Sequence, residues 1–451
     1  MTMLMRSVSG VRGIVGDSLT EDVVDRHVRA FGSLVTEHHD GPVVLARDSR
    51  ESGPVFRDVA ATALTEMGIN VVDCGLVPTP TAQLAVEHHN AAGGIIITAS
   101  HNPVEWNALK FVGSDGLFLD AGRVTRLFTQ ADAHEFVTSR SSGEIRTDAA
   151  AVERHVGGVL ALSFIDVQRI QRAKLHVALD CVRGAGGVIM PPLLEALGCR
   201  VTGVNLDTDG RFPRAPEPTP ANLAELGDLV AQSSANIGIA VDPDVDRLAI
   251  VDEKGRAIGE DYTLAFAVWA VLDRRIGPVV VNLSTSLVVD DVARTFGVTV
   301  ERVPVGEANV AQALMASGAA IGGEGNGGVM LPSYHAGRDA PLAAALVLDL
   351  LARSGQTVSE LVDSNPRYSI VKAKAERSGD LDRAYAALDE QFADAQRDTQ
   401  DGLRLAWSDR WLHVRPSGTE PIIRFIAEAP TTADAEYLIS AARSALAEAG
   451  V

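Results

Sequence analysis

Three carboxylates at alternate positions, Asp242, Asp244 and Asp246 in "IGIAVDPDVDRLAIVD", are the densest candidate chemistry in this 451-residue chain. If the segment runs extended, their side chains project to one side and gather oxygens as a hard divalent cation requires, magnesium above all. An EF-hand also begins with alternating acids, but Arg247 stands where that loop needs glycine, and the flanks read as strands. The bland alternative is a solvated acidic turn. A second constellation lies in "IIITASHNP": Ile95, Ile96 and Ile97 form a buried strand that empties into Thr98, Ser100, His101 and Asn102, with Lys110 shortly after. Ser100 lacks the flanking glycines of a nucleophile elbow, and His101, its neighbour in sequence, is badly placed to serve as its base. Taken alone, these residues equally well make a plain turn.

Two further loops carry polar groups. In "IGGEGNGGVMLP", glycines surround Glu324 and Asn326. There is no Gly-Lys-Ser/Thr to cradle a nucleotide, and a carboxylate repels phosphate, so sugar hydroxyls are the better partners; the alternative is a surface loop. In "WLHVRPSGTEPIIRF", Arg415, Ser417, Thr419 and Arg424 surround Gly418. Arginine forks, hydroxyls and turn N–H groups suit a phosphate, against the alternative of a polar hairpin facing solvent.

The elements that must position these loops repeat. "VVLARDSRESGPVFRDVAATALTEMGINVVDCG", "LHVALDCVRGAGGVIMPPLLEALGCRVTGVN" and "GPVVVNLSTSLVVDDVARTFGVTVERVPV" each read as strand, polar turn, amphipathic helix, glycine, strand. Each is a βαβ unit, with Gly68, Gly198 and Gly297 expected as helix C-caps. A helical stretch near residues 120–172 is expected to join the first unit to the second, and "DYTLAFAVWAVLDRR" to open the third as a buried helix. "DSNPRYS", residues 363–369, reads as a linker. Beyond it come a strand, a long helix from about Leu381 to Arg397, three more strands and a terminal helix. The expected fold class is α/β: three tandem α/β domains with mixed sheets flanked by helices, plus a smaller C-terminal α+β domain.

Composition narrows the partners. Lys and Arg total 40 against 59 Asp and Glu, a formal net charge of −19, which argues against nucleic acid or an anionic membrane surface. Cys74, Cys181 and Cys199 have neither metal-type nor redox spacing and read as free thiols. No secretory pattern opens the sequence, Asp349 interrupts "APLAAALVLDLLA" and "LAFAVWAVL" is short, so neither run suits a membrane span and a cytoplasmic protein is expected, monomeric or homodimeric.

Together, and in this order, the loops resemble those of the α-D-phosphohexomutase superfamily. "TASHNP" resembles its phosphoserine loop, "DPDVDR" its metal loop, "GEGNGG" its sugar-recognition loop, "RPSGTEP" its phosphate-binding loop and "SVSGVRGIVG" its amino-terminal active-site segment. The resemblance implies four domains with boundaries at 1–150, 151–255, 256–364 and 365–451, the last one mobile. It implies that Ser100 carries a phosphoryl group and, with Asp242, Asp244 and Asp246, holds Mg2+, while Arg12, His101, Lys110 and Arg247 line the reacting centre. Glu324 and Asn326 would meet the sugar, and Arg415, Ser417, Gly418, Thr419 and Arg424 its non-reacting phosphate. The implied partner is a small hexose phosphate, interconverted between 6-phospho and 1-phospho forms through a sugar 1,6-bisphosphate; the opening segment and sugar loop most resemble those of enzymes acting on glucosamine phosphate, with glucose or mannose phosphate as alternatives. Proton transfer is expected of Lys110, with its pKa lowered by neighbouring cations and partial burial. Two departures stand out. Asn326, Gly327 and Gly328 replace the Ser-Gly-His common in the sugar loop, and Val245 stands where glycine is frequent in the metal loop. A β-branched residue disfavours positive φ, so extended backbone is expected at Val245. A haloacid-dehalogenase-type phosphatase with Asp242 as nucleophile and a non-catalytic sugar-phosphate sensor are the competing readings.

Overall fold

The strands Val43–Arg47, His176–Asp180 and Val279–Asn282 are short apolar runs with almost no exposed residue, as strands covered by helices on both faces must be. The computed structural model describes residues 3–37, 39–139, 141–376, 381–417 and 422–448. In it each of these strands leads through a helix (Gly53–Glu66, Gly186–Ala196, Leu287–Thr295) to a parallel neighbour (Val71–Leu76, Arg200–Val204, Val300–Val303). Gly68, Gly198 and Gly297 follow those helices at φ 80°, 75° and 70°, a left-handed turn that costs glycine nothing. A further parallel strand then lies on the other side of the first (Gly93–Ile97, Ile237–Val241, Ile321–Glu324), and an antiparallel strand beside it returns the chain (Trp106–Gly113, Leu248–Val251, Gly328–Met330).

The repeat has a functional consequence. In all three units the connection from the last parallel strand to its antiparallel partner carries candidate chemistry: "TASHNP", "DPDVDR" and Gly325–Gly327. One topological position, at the carboxyl end of a buried strand, is thus used three times. Among the described residues the first sheet has seven strands, extended by Met5–Ser7, Gly10–Ile14 and Ile145–Thr147; the next two have four each. The fourth is a five-stranded antiparallel sheet of Ser369–Glu376, Ile422–Ala429, Trp411–Pro416, Leu403–Ala406 and Gln396–Asp398, packed against the helices Leu381–Gln391 and Thr432–Glu448. The architecture is the three mixed α/β units and C-terminal α+β unit expected.

Two expectations about elements are corrected. The 120–172 region holds the helices Ala121–Ala133, Ala151–Leu160 and Val167–Ala173, but also the strand Ile145–Thr147, parallel to Val71–Leu76. Its three residues are exposed, so only backbone pairing defines it and no apolar pattern announces it. The helix expected to reach Arg397 ends at Gln391; the chain turns with Ala395 N–H donating to Phe392 O, and Arg397 joins a strand opposite Leu405.

One hydrophobic core spans the second and third units, because the helices Asp261–Leu272 and Ala340–Ser354 are apolar almost all round and pack against both. The first unit and the C-terminal unit have cores of their own. Among the described residues, no helix is long and apolar enough to cross a membrane.

Candidate active site

Ser100 is only 3% exposed and sits at φ 48°, the left-handed region that favours glycine. Thr98 makes that turn affordable: its Oγ1 accepts from Ser100 N–H at 2.9 Å and donates to Asp48 Oδ2 at 2.6 Å. Behind the loop lies Arg50, 1% exposed. Its guanidinium donates to the carbonyls of Ser100 and Asn102 (2.7 Å each), Pro103 (2.6 Å) and Trp106 (2.8 Å), and to Asp48 Oδ2 at 3.1 Å. A single buried cation therefore gathers four carbonyls of the loop and its exit, which no regular structure would satisfy.

The serine loop meets the aspartate loop directly. Ser100 Oγ donates to Asp242 Oδ2 at 2.9 Å, and Lys110 Nζ donates to Asp244 Oδ2 at 2.7 Å. From the start of the helix Thr79–His88, Thr79 also donates to Asp244 Oδ2, at 2.8 Å, and its N–H to Asp244 O at 2.9 Å. His101 Nδ1 lies 3.3 Å from Ser100 Oγ, and Arg12 donates to Asn102 Oδ1 at 2.5 Å. Arg247 Nη1 is held by Glu217 Oε1 at 3.1 Å, with its Nε 3.7 Å from Asp246 Oδ1.

Asp242, Asp244 and Asp246 are all buried, with one carboxylate oxygen from each within 4.8 Å of the others. Extended alternation is not what brings them together. The segment is a tight turn in which Val245 takes φ 63°, its N–H donating to Asp242 O, while Asp242 Oδ1 accepts the N–H groups of Asp246 and Arg247 at 3.2 Å each. The extended backbone expected at Val245 is thereby corrected. A left-handed β-branched residue costs about 1–2 kcal/mol, and the isopropyl group, fully buried in the shared core, returns about that much.

The electrostatics fit a cation. Burial, then Asp244 and Asp246, push Asp242 well above the ordinary carboxylate range. Burial also works against the charge on Asp244, but Lys110, Asp242 and Thr79 together hold its pKa below that range. Asp244 Oδ1 and Asp246 Oδ1 are buried without a hydrogen-bond partner among the described residues. Two orphaned carboxylate oxygens, a third acid and a serine oxygen make an oxygen-only donor set suited to Mg2+. The depressed Lys110 pKa expected from the sequence is corrected: burial does pull it down, but Asp244 and then Asp246 outweigh that, and the net shift is upward. The neighbours that decide it are acids rather than cations. His101 is pushed far below its usual value by burial, then by Arg247 and Arg12, and is neutral.

Glu324 is met by protein donors on both oxygens. Oε1 accepts from Asn282 Nδ2 at 2.8 Å and Gly306 N–H at 3.0 Å; Oε2 accepts from Arg338 Nη1 at 2.6 Å and, more loosely, from Asn326 Nδ2 at 3.4 Å. Gly327, at φ 86°, lets the turn approach so closely that its carbonyl accepts Leu248 N–H, tying this loop to the metal-loop hairpin. In the C-terminal unit, Arg415 and Arg424 face each other across paired strands, two like charges that one anion can bridge. Arg415 Nε donates to Asp401 Oδ2 at 2.7 Å, which also accepts Val305 N–H at 3.2 Å, and Arg424 Nε lies 3.4 Å from Ser417 Oγ. Gly418 and Thr419 lie outside the described residues. Sequence reasoning missed Arg50, Asp48, Thr79, Asn282, Glu307 and Arg338: Thr79 and Arg338 reach a loop of another unit, and the others act on residues far from them in sequence, so no motif spacing marks them.

Comparison with known proteins agrees with this geometry. Four family models match in succession: phosphoglucomutase/phosphomannomutase alpha/beta/alpha domain I at residues 4–137, domain II at 153–255, domain III at 259–368 and the C-terminal domain at 370–444. The phosphoglucomutase/phosphomannomutase of Thermococcus kodakarensis is 38% identical over 440 residues, 95% of each chain. The probable phosphoglucosamine mutase of Methanopyrus kandleri is 36% identical over 436 residues, again 95% of each. The crystal structure of a phosphoglucomutase/phosphomannomutase family protein from Burkholderia thailandensis superposes with a TM-score of 0.87 at 28% identity, covering 98% of this chain and 97% of that one.

Proposed function

The chain belongs to the phosphoglucomutase/phosphomannomutase family and is a phosphohexomutase, and from that premise we propose that it interconverts glucosamine 6-phosphate and glucosamine 1-phosphate through a phosphorylated Ser100. The observation that carries the mechanism is the buried contact between Ser100 Oγ and Asp242 Oδ2, which joins the two loops in one reacting centre. The family uses Mg2+. Asp242, Asp244, Asp246 and Ser100 would hold that ion, which when bound draws charge from the phosphoryl oxygens.

A phosphate cannot pass directly from O6 to O1 of one sugar without severe ring strain, so the protein carries it. In the first half-reaction the Ser100 Oγ–P bond breaks as the free sugar hydroxyl bonds to phosphorus, giving the 1,6-bisphosphate and a free serine. After the bisphosphate turns over, its other phosphoryl group returns to Ser100 Oγ and the isomerised monophosphate leaves. The hydroxyl's proton must go to a base in the first half and come back in the second; Lys110 is our candidate, and because Asp244 and Asp246 favour its ammonium form it must first release Asp244 and give up its own proton to solvent. Arg12, Arg247 and neutral His101 surround the phosphoryl group, where positioning and charge stabilisation dominate the barrier. Arg415, Ser417, Gly418, Thr419 and Arg424 would hold the other phosphate in either orientation. Closure of the C-terminal unit about residues 363–369 would exclude water, which otherwise hydrolyses the phosphoserine.

Glucosamine is favoured by charge. Glu307 and Glu324 share one guanidinium, Arg338, which also serves Asp246, so acidic side chains gather on the sugar-loop side of the site, where an ammonium at C2 would be welcome. The name of the Thermococcus relative favours glucose or mannose phosphate as the second reading. Initial rates on glucosamine, glucose and mannose 6-phosphates, each primed with a trace of its 1,6-bisphosphate, separate them. The highest kcat/KM on glucosamine 6-phosphate supports the proposal, and a preference for either neutral sugar overturns it.

A further inference from the structure

Arg338 belongs to none of the loops singled out in the sequence, yet its guanidinium stands among three carboxylates from two of the units. Nη2 donates to Asp246 Oδ2 at 2.5 Å, Nη1 to Glu324 Oε2 at 2.6 Å, and Nε lies 3.1 Å from Glu307 Oε2. Its backbone N–H donates to Glu307 Oε1 at 3.2 Å. The side chain reaches this position across Gly328: a Cβ there would lie 2.2 Å from Arg338 Cδ and 2.9 Å from Cγ. Gly328 is an ordinary strand residue outside the left-handed region, so what its missing side chain supplies is space. This is one of the two positions, with Asn326, at which the sugar loop departs from the Ser-Gly-His pattern.

We propose that Arg338, admitted by Gly328, is a positioning residue that joins the sugar loop to the metal loop. By occupying Asp246 Oδ2 it leaves the orphaned Oδ1 for the ion, and by occupying Glu324 Oε2 it fixes the carboxylate that faces the sugar. Groups that orient metal ligands are commonly worth about 10–100-fold in metal affinity or activity. A lysine cannot replace the guanidinium, because a point charge does not fork between two carboxylates. The metal half of this inference is independent of the substrate; only the sugar half rests on the mutase reading.

The test compares the full-length protein with Arg338→Met, Arg338→Lys, Gly328→Ala and the double variant Gly328→Ala/Arg338→Met. Mn2+ binding is read by electron paramagnetic resonance without sugar, and KM and kcat are measured on glucosamine 6-phosphate. The expected result is Mn2+ binding weakened about 10–100-fold in Arg338→Met and Gly328→Ala alike, no recovery in Arg338→Lys, and a double variant that binds Mn2+ no worse than Arg338→Met, because Gly328→Ala reaches the metal loop through Arg338, its other close neighbour being Asn326 of the sugar loop. Sugar KM rises in the same variants. Mn2+ binding by Arg338→Met within about two-fold of wild type, or single effects that multiply in the double variant, overturns the proposal. If Arg338→Met does not fold, as judged by circular dichroism, Arg338→Lys and Gly328→Ala carry the comparison, and wild-type Mn2+ affinity in both overturns it. A wild-type protein that binds Mn2+ but isomerises no sugar phosphate defeats the mutase reading and leaves this inference standing.

Discussion

Replacing Arg50 by methionine removes the cation that holds the serine loop in shape. The aliphatic stem is largely preserved, so the loss is electrostatic. Asp48 stays buried with its pair broken, and the carbonyls of Ser100, Asn102, Pro103 and Trp106 lose their charged donor in the protein interior. Breaking a buried ion pair costs about 3–5 kcal/mol. Phe212, whose ring lies 4.9 Å from the guanidinium carbon, loses its cation as well. Because the first unit has its own core, the destabilisation should fall on its own thermal transition: about 4 kcal/mol lowers the melting temperature of a unit this size by roughly 8–16 °C. The same release lets Ser100 drift from Asp242, and a misplacement of about 1 Å costs on the order of 100-fold in rate. Scanning calorimetry measures the first effect and turnover the second. Arg50→Met melting within about 2 °C of wild type, at full activity, would refute the reasoning.

Acid should destabilise the first unit through His27. Burial presses its pKa down from 6.5 to about 4, and its Nε2 is buried without a hydrogen-bond partner among the described residues. Between those values the unfolded chain binds the proton and the folded one does not, so stability falls as pH drops from 6.5 towards 4, by about 3 kcal/mol in full; urea midpoints that decline less steeply in His27→Leu than in wild type would bear this out, and equal slopes would contradict it. Glu428 latches the C-terminal unit to the third, accepting from Ser286 Oγ, from Leu287 N–H at 2.8 Å at a helix N-terminus and from Trp411 Nε1 at 2.6 Å. Glu428→Ala should therefore speed tryptic cleavage at Arg367 in the connecting segment and raise sugar-phosphate KM about ten-fold, as loss of a buried charged anchor implies; unchanged proteolysis would show that the latch does not restrain the unit.

The sequence made the architecture legible because its signals were local. Apolar runs such as Val279–Asn282, with helix-capping glycines such as Gly297, specify a βαβ unit without reference to distant residues. The loop residues were legible for a related reason: Ser100, the three aspartates and Glu324 sit where a buried strand ends, so polar groups stand out against an apolar background. Tertiary competition hid the rest. At Val245, burial in the shared core outweighs the intrinsic preference against positive φ. At Lys110, the sign of the pKa shift depends on which charges the second unit brings, and Asp244 is 134 positions away. Arg50 and Arg338 act on loops that are remote in sequence or lie in another unit, and Arg338 reaches its partners only because Gly328 leaves room. The strand Ile145–Thr147 carries no apolar face and is defined by pairing alone.

The central claim is that Ser100 is the covalent carrier. Incubating the protein with glucosamine 1,6-bisphosphate and Mg2+ and mapping the phosphopeptide by mass spectrometry tests it without recourse to steady-state rates. The account predicts phosphate on Ser100, and Ser100→Ala protein that takes up none and interconverts no sugar phosphate. Phosphate found on Asp242 instead, or turnover retained by Ser100→Ala, would contradict it.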